Sequence, residues 1–212
     1  MNYIDLKGIF SNFSEEMTSN MEWLNELDKR IGDGDIGFTL AKGFSGVSKA
    51  INKSNQENLG QLLLLAGKKM SITVPCTIGT LLAFGFMNAG KKMSSKSEWT
   101  TLDFADFLKF LYEGIQTLGN AQINEKTILD SLYPLYTEFM NAAHSGDDFK
   151  EASRKAKVAA REGFLNTKNF IARHGKTAVY GKKTLSFEDP GAAAAMLLGE
   201  AIYKYFAAAN NK

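Results

Sequence analysis

The sequence predicts an all-α protein, a bundle of about eight antiparallel, up-and-down helices, and three observations carry that reading. Only three prolines (Pro75, Pro134, Pro190) interrupt the 212 residues, so long stretches are free to be helical. Apolar residues recur near a 3.6-residue period almost everywhere. Period-2 alternation bounded by turn signals is scarce; the best strand candidate, Thr177 to Leu185, is short and rich in Lys and Gly.

The elements follow in order. Ile4, Ile9, Phe13, Met17, Met21 and Leu24 drift along one stripe and predict a single first helix. Further helices are expected at about 37–52, 58–72, 77–93, 102–119, 127–143, 148–173 and 190–209. Thr100 with Asp103 and Thr127 with Asp130 read as capping boxes, with Asp in place of Glu at the third helical position. Asp189-Pro190-Gly191 reads as an N-cap and a first-turn proline ahead of an alanine run. The aromatic residues Phe104, Phe107, Phe110 and Tyr112 suit a core stripe better than a base-stacking platform.

Composition narrows the class. Hydrophobic residues at 44% and charged residues at 23% are the balance of an ordinary globular chain. One domain spanning 1–212 is expected, large enough to bury roughly 70% of its unfolded surface without a disulfide. A net charge of +2 argues against a general nucleic-acid or membrane-surface binder. Cys76, the single cysteine, excludes an intrachain disulfide or a multi-cysteine zinc site, and as a lone thiol it suits a small buried residue. The N-terminus has no signal-peptide pattern and the apolar runs are short, so a cytoplasmic location is expected.

Site chemistry concentrates in three connections, 28–37, 119–128 and 174–191. They follow the first, fifth and seventh predicted helices, and alternate loops of an up-and-down bundle share an end. The sharpest feature is Leu27-Asp28-Lys29-Arg30-Ile31-Gly32-Asp33-Gly34-Asp35-Ile36-Gly37, three carboxylates within eight residues at a glycine-rich turn. Oxygen donors without His or Cys suit Mg²⁺ or Ca²⁺. By itself such a cluster also suits a solvated turn that stops one helix and caps the next. Gly32-x-Gly34-x-x-Gly37 is no dinucleotide fingerprint, because no βαβ unit surrounds it. An EF-hand from Asp33 fails at its twelfth position, Phe44, and a Walker A loop ending Gly175-Lys176-Thr177 lacks its earlier glycine at Phe170.

LDKRIGDGDIGFTLAKGF near the start and DPGAAAAM near the end, on an all-helical chain of this length, resemble DhaL. DhaL is the nucleotide-binding subunit of phosphotransferase-system-dependent dihydroxyacetone kinase. The resemblance covers essentially the whole chain and implies a closed barrel of eight antiparallel helices with nucleotide at one end. It implies that Asp28, Asp33 and Asp35 hold two Mg²⁺ ions that bridge the phosphates of a tightly bound ADP or ATP. Ile36 stands where the family usually has His, followed by Gly37, Phe38 and Thr39. Pro75-Cys76-Thr77-Ile78-Gly79 stands for the family's small-residue phosphate loop, with Thr77 or Thr80 as hydroxyl donor. Gly119 and Ile128 match the loop around adenine, and Asp189, Pro190 and Gly191 match outright. Lys176 replaces the usual Arg, keeps the positive charge and is the expected catalytic residue.

The partners implied are a DhaK-type subunit that binds a short ketose and a DhaM-type phosphohistidine donor; a homodimer is left open. The length without a fused ketose-binding part favours this three-subunit system. The alternative is a non-catalytic Mg-ADP-binding regulator, suggested by Ile36 and the altered 75–80 loop, and a plain helical interaction domain is the third reading. His144 and His174 read as charges near helix C-termini. Lys182 and Lys183 read either as solvated charges or as part of a docking rim.

Overall fold

Asn2 opens the first helix: its side chain accepts from Ile4 and Asp5 N–H, and Asp5 accepts from Asn2 N–H, a reciprocal capping box. Helix α1 (Tyr3–Ser19) then carries Leu6, Ile9, Phe10, Phe13 and Met17 inward. In the computed structural model, which describes residues 1–94 and 96–209, the expected single first helix is two. The chain leaves helical geometry at Asn20 (φ −104°, ψ 12°), whose side-chain amide donates to Glu16 O, and resumes as α2 (Met21–Lys29). A polar side chain competing for a helix carbonyl produces that bend.

The remaining helices are α3 (Ile36–Lys53), α4 (Leu59–Thr73), α5 (Thr77–Lys92), α6 (Thr101–Gly119), α7 (Leu129–His144), α8 (Phe149–Asn166) and α9 (Pro190–Ala209). Thr100 and Asp103 form the expected box. At α7 only half of one forms. Asp130 accepts from Thr127 N–H, whereas the Thr127 hydroxyl accepts from Leu129. Helix α8 stops at Asn166, short of the expected 173, and a 3₁₀ turn follows at Thr167–Asn169. The strand candidate is also overturned. Lys176–Thr184 is 3₁₀ helix, kinked at Gly181 (φ +52°), with Val179 and Tyr180 both exposed. No sheet edge lies among the described residues for a strand there to pair with.

Each helix packs on its sequence neighbours, and α9 returns to α1, α2, α7 and α8, closing the ring. Alanines 192–195 are buried where α9 meets these neighbours, so small side chains set its close approach. Phe104 lies within 6.4 Å, centroid to centroid, of Trp99, Phe107, Phe139, Phe149 and Phe206, and Phe10, Phe13, Phe44 and Phe86 form a second aromatic cluster. The aromatic run of α6 is core, as expected. The connections after α2, α4, α6 and α8 share one rim, since residues from all four line adjoining cavities there. No helix among the described residues is long and apolar enough to cross a membrane.

Candidate nucleotide and metal site

Two side chains of α2 cap α3 from outside it. Asp28 Oδ2 accepts from Gly34 N (2.9 Å), Asp35 N (3.0 Å) and Ile36 N (3.4 Å), and Asn25 Oδ1 accepts from Gly37 N (2.8 Å) and Phe38 N (3.2 Å). The turn fits only with glycine at two points: a Cβ on Gly32 would collide with the Asp28 carboxylate, and Gly34 sits at φ +79°. Asp35, at the N-cap position itself, makes no side-chain capping bond. The local donors of the α3 terminus are thus met by α2, and the carboxylates of Asp33 and Asp35 take no part in that capping.

Asp28, Asp33 and Asp35 each present an oxygen, and the three oxygens lie within 4.8 Å of one another. Asp28 is buried, and desolvation raises its pKa while the three loop amides and the neighbouring Asp33 charge act in opposite directions. Asp33 is exposed and ion-paired with Lys176, which holds its carboxyl below the usual range and raises the Lys176 ammonium in turn. Three negative charges face one lysine. An all-oxygen, charge-excess donor set fits a hard divalent cation such as Mg²⁺.

The triad opens into a polar cavity of about 210 Å³ shared with Thr39, Thr77, Ile78 and Lys176. Beside it lies a larger, apolar cavity of about 630 Å³ walled by Leu81, Ile115, Leu118, Ala121, Ile128 and Leu129. Cys76, Thr77 and Gly175 border both, so the two adjoin at these residues. Cys76 is exposed there, not buried as expected. It occupies the N-cap of α5 without a side-chain capping bond, leaving the first N–H groups of α5 uncapped at the junction.

A buried frame holds the loops behind this rim. Lys126 is buried, with φ +62°, and its ammonium donates to the carbonyls of Thr167 (2.7 Å), Phe170 (3.4 Å) and Phe187. Asp130 ties the preceding loop to α7 by accepting from Thr127 N–H and Asn124 N–H, and Asp189 caps α9 through Ala192 N–H (2.7 Å). Burial pushes the Asp189 carboxyl up to about 7, against its cap bond and the Lys126 charge. Desolvation pulls Lys126 down. Sequence reading missed Lys126 and Asn25; a lysine after a loop Asn-Glu carries no sequence signal of burial.

The expected site residues divide into three groups. Asp28, Asp33, Asp35, Ile36, Thr39, Thr77, Ile78 and Lys176 converge on the polar cavity, and Gly119 and Ile128 on the apolar one. Gly37 and Phe38 do not line either; their N–H groups are bound to Asn25, a Cβ on Gly37 would collide with Met21 O, and the Phe38 side chain is exposed. Asp189, Pro190 and Gly191 lie behind the apolar wall, where Gly191 backs onto Ile128 N. His144 closes α7 by binding Met140 O, whereas His174 is at no helix end: it lies in the loop after α8 and pairs with Glu125.

Fold and rim together define a closed helical barrel with a cation-suited carboxylate cluster beside an apolar cavity. The DAK2 domain model matches residues 30–204, and the chain belongs to that family. It is 31% identical over 195 residues to the PTS-dependent dihydroxyacetone kinase, ADP-binding subunit DhaL, of Lactococcus lactis subsp. lactis (strain IL1403), covering 92% of this chain and 93% of that one. It is 30% identical to the ADP-binding subunit DhaL of PEP-dependent dihydroxyacetone kinase 1 of Listeria innocua, with 91% of each covered. The fold matches the crystal structure of the dihydroxyacetone kinase from C. freundii in complex with AMP-PNP and Mg²⁺, at TM-score 0.75 and 22% identity. That match takes in 93% of this chain and 33% of the kinase, so the chain spans about a third of the solved enzyme's length.

Proposed function

We propose that this chain is the ADP-binding subunit of a dihydroxyacetone kinase, acting on dihydroxyacetone or a related short ketose. In this reading it relays a phosphoryl group from a DhaM-type phosphohistidine donor to a ketose held on a DhaK-type subunit, in the cytoplasm. The observation that carries it is the junction of the carboxylate-lined polar cavity with the apolar one. A nucleoside diphosphate has a matching division, with charged phosphates at one end and a flat aromatic base at the other. The names of the full-length relatives support the reading.

Asp28, Asp33 and Asp35 would hold Mg²⁺, two ions on the family pattern, and the metal supplies neutralisation of phosphate charge and a template for in-line transfer. Lys176 is exposed and already beside the triad, so a rotamer change would carry its ammonium from Asp33 to a phosphate oxygen. The uncapped start of α5 adds N–H donors for the same anion. Ile128, Leu129 and Leu81 exclude water from the base end.

The test is a coupled assay with purified DhaK- and DhaM-type partners, in which Mg²⁺-dependent phosphorylation of dihydroxyacetone requires this chain. Binding of Mg-ADP with no turnover in that assay would identify the non-catalytic regulator instead.

A further inference from the structure

The apolar cavity has a histidine at its border, His174, and the family resemblance assigns it no role. Its Nε2 lies 2.6 Å from Glu125 Oε2. Glu125 is held in place three times more: Oε2 accepts from Gln122 N (2.8 Å), its carbonyl accepts from Arg173 N (3.2 Å), and the Arg173 guanidinium lies 4.0 Å from Oε1. The Gln122 amide, then His174, lowers the Glu125 pKa, so the residue is a carboxylate and only accepts. Nε2 must therefore carry the proton shared with Glu125. The other ring nitrogen, Nδ1, makes no hydrogen bond among the described residues. Two neighbouring loops thus hold the histidine ring at the cavity's edge. Gly175, next in the chain, borders both cavities, and Lys176 follows at the triad.

We propose that His174, oriented by Glu125, is a binding residue for the nucleoside half of the bound nucleotide, with Nε2–H turned to Glu125 and Nδ1 accepting a hydrogen bond from a base amino group or ribose hydroxyl. The proposal rests on the nucleotide reading above and adds to it a contact made to nucleoside and not to phosphate. Two conservative variants separate ligand contact from loop strut. Glutamine at 174 reaches the Nε2 position and keeps a donor for Glu125; asparagine places its amide near the Nδ1 position and gives up the tie.

Full-length wild type, H174A, H174Q and H174N are titrated calorimetrically with Mg-ADP and with Mg-pyrophosphate, which lacks the nucleoside. H174A and H174Q should each lose about tenfold in ADP affinity, the scale of one hydrogen bond to a ligand, with pyrophosphate affinity within twofold of wild type. H174N should bind ADP more tightly than H174Q. Equal losses for the two ligands, no loss in H174A, or H174Q binding ADP as well as H174N overturns the proposal and leaves His174 a strut. Wild-type protein that binds neither ligand overturns the nucleotide reading and this proposal with it; failure of the His174 role alone leaves wild-type binding intact.

Discussion

The three aspartates read alike in the sequence, and the structure gives them different second duties. Asp28 accepts three N–H groups of the α3 turn, Asp33 pairs with Lys176, and Asp35 caps nothing. Substitution therefore separates a folding role from a metal role. Asp28→Ala should cost the ligand-free protein about 1–3 kcal/mol, because three part-buried donors lose their shared partner. Asp35→Asn should leave ligand-free stability within about 0.5 kcal/mol of wild type. Both should abolish the stabilisation by Mg-ADP, read in parallel thermal melts; a full Mg-ADP shift in Asp35→Asn would remove it from the metal set. The DGD motif was legible because its chemistry is local. Asn25 was not, because its contact with Gly37 spans twelve positions and depends on how α2 lands against α3.

At the scale of elements, local signals carried further than tertiary ones. The Thr100–Asp103 box and the Asp189-Pro190 start are closed within three residues, and both formed as read. The break at Asn20 falls within an uninterrupted apolar stripe, so periodicity ran across it. Likewise Lys176–Thr184 has turn composition without the α-helical period, and its shape is set by contacts with other loops, such as Lys176 with Asp33 and Thr184 with Ala172 N–H. The buried Lys126–Asp189 frame gives this rim a pH signature. Asp189 has a folded-state pKa of about 7 against roughly 3.9 unfolded, so between these values the folded protein binds more protons than the unfolded chain. Its contribution is then most favourable below pH 4 and is lost as pH rises through 7, with a slope of up to roughly 1.4 kcal/mol per pH unit. Asp189→Asn keeps a competent N-cap and should flatten that slope in urea melts between pH 5 and 7.5; an unchanged slope would place the proton elsewhere. Lys126→Met leaves three carbonyls without their shared donor and should cost about 3 kcal/mol or more, measured by the same melts.

For the whole molecule, the parity of an up-and-down barrel decides what a ligand can stabilise. The connections after α2, α4, α6 and α8 meet at one rim, while those after α3, α5 and α7 lie at the other with the N-terminus, whose ammonium donates to Trp99 O. A nucleotide lying across both cavities would touch α2, α3, α5, α6 and α7 together, so its binding free energy becomes resistance to global unfolding. At 100 times the dissociation constant Mg-ADP should add about 2.7 kcal/mol, and a chelator should remove the increment. For a chain of this size that is roughly 5–10 °C in melting temperature. The same geometry predicts where the effect is felt. Amide hydrogen exchange should slow on Mg-ADP addition at 30–37, 75–79, 120–128 and 174–184. The opposite rim, at 54–58 and 145–148, should exchange at its ligand-free rate, since those loops open by local fluctuations that the ligand does not touch. Protection spread evenly over both ends, or confined to the opposite rim, would mean that the carboxylate cluster is not where the nucleotide binds.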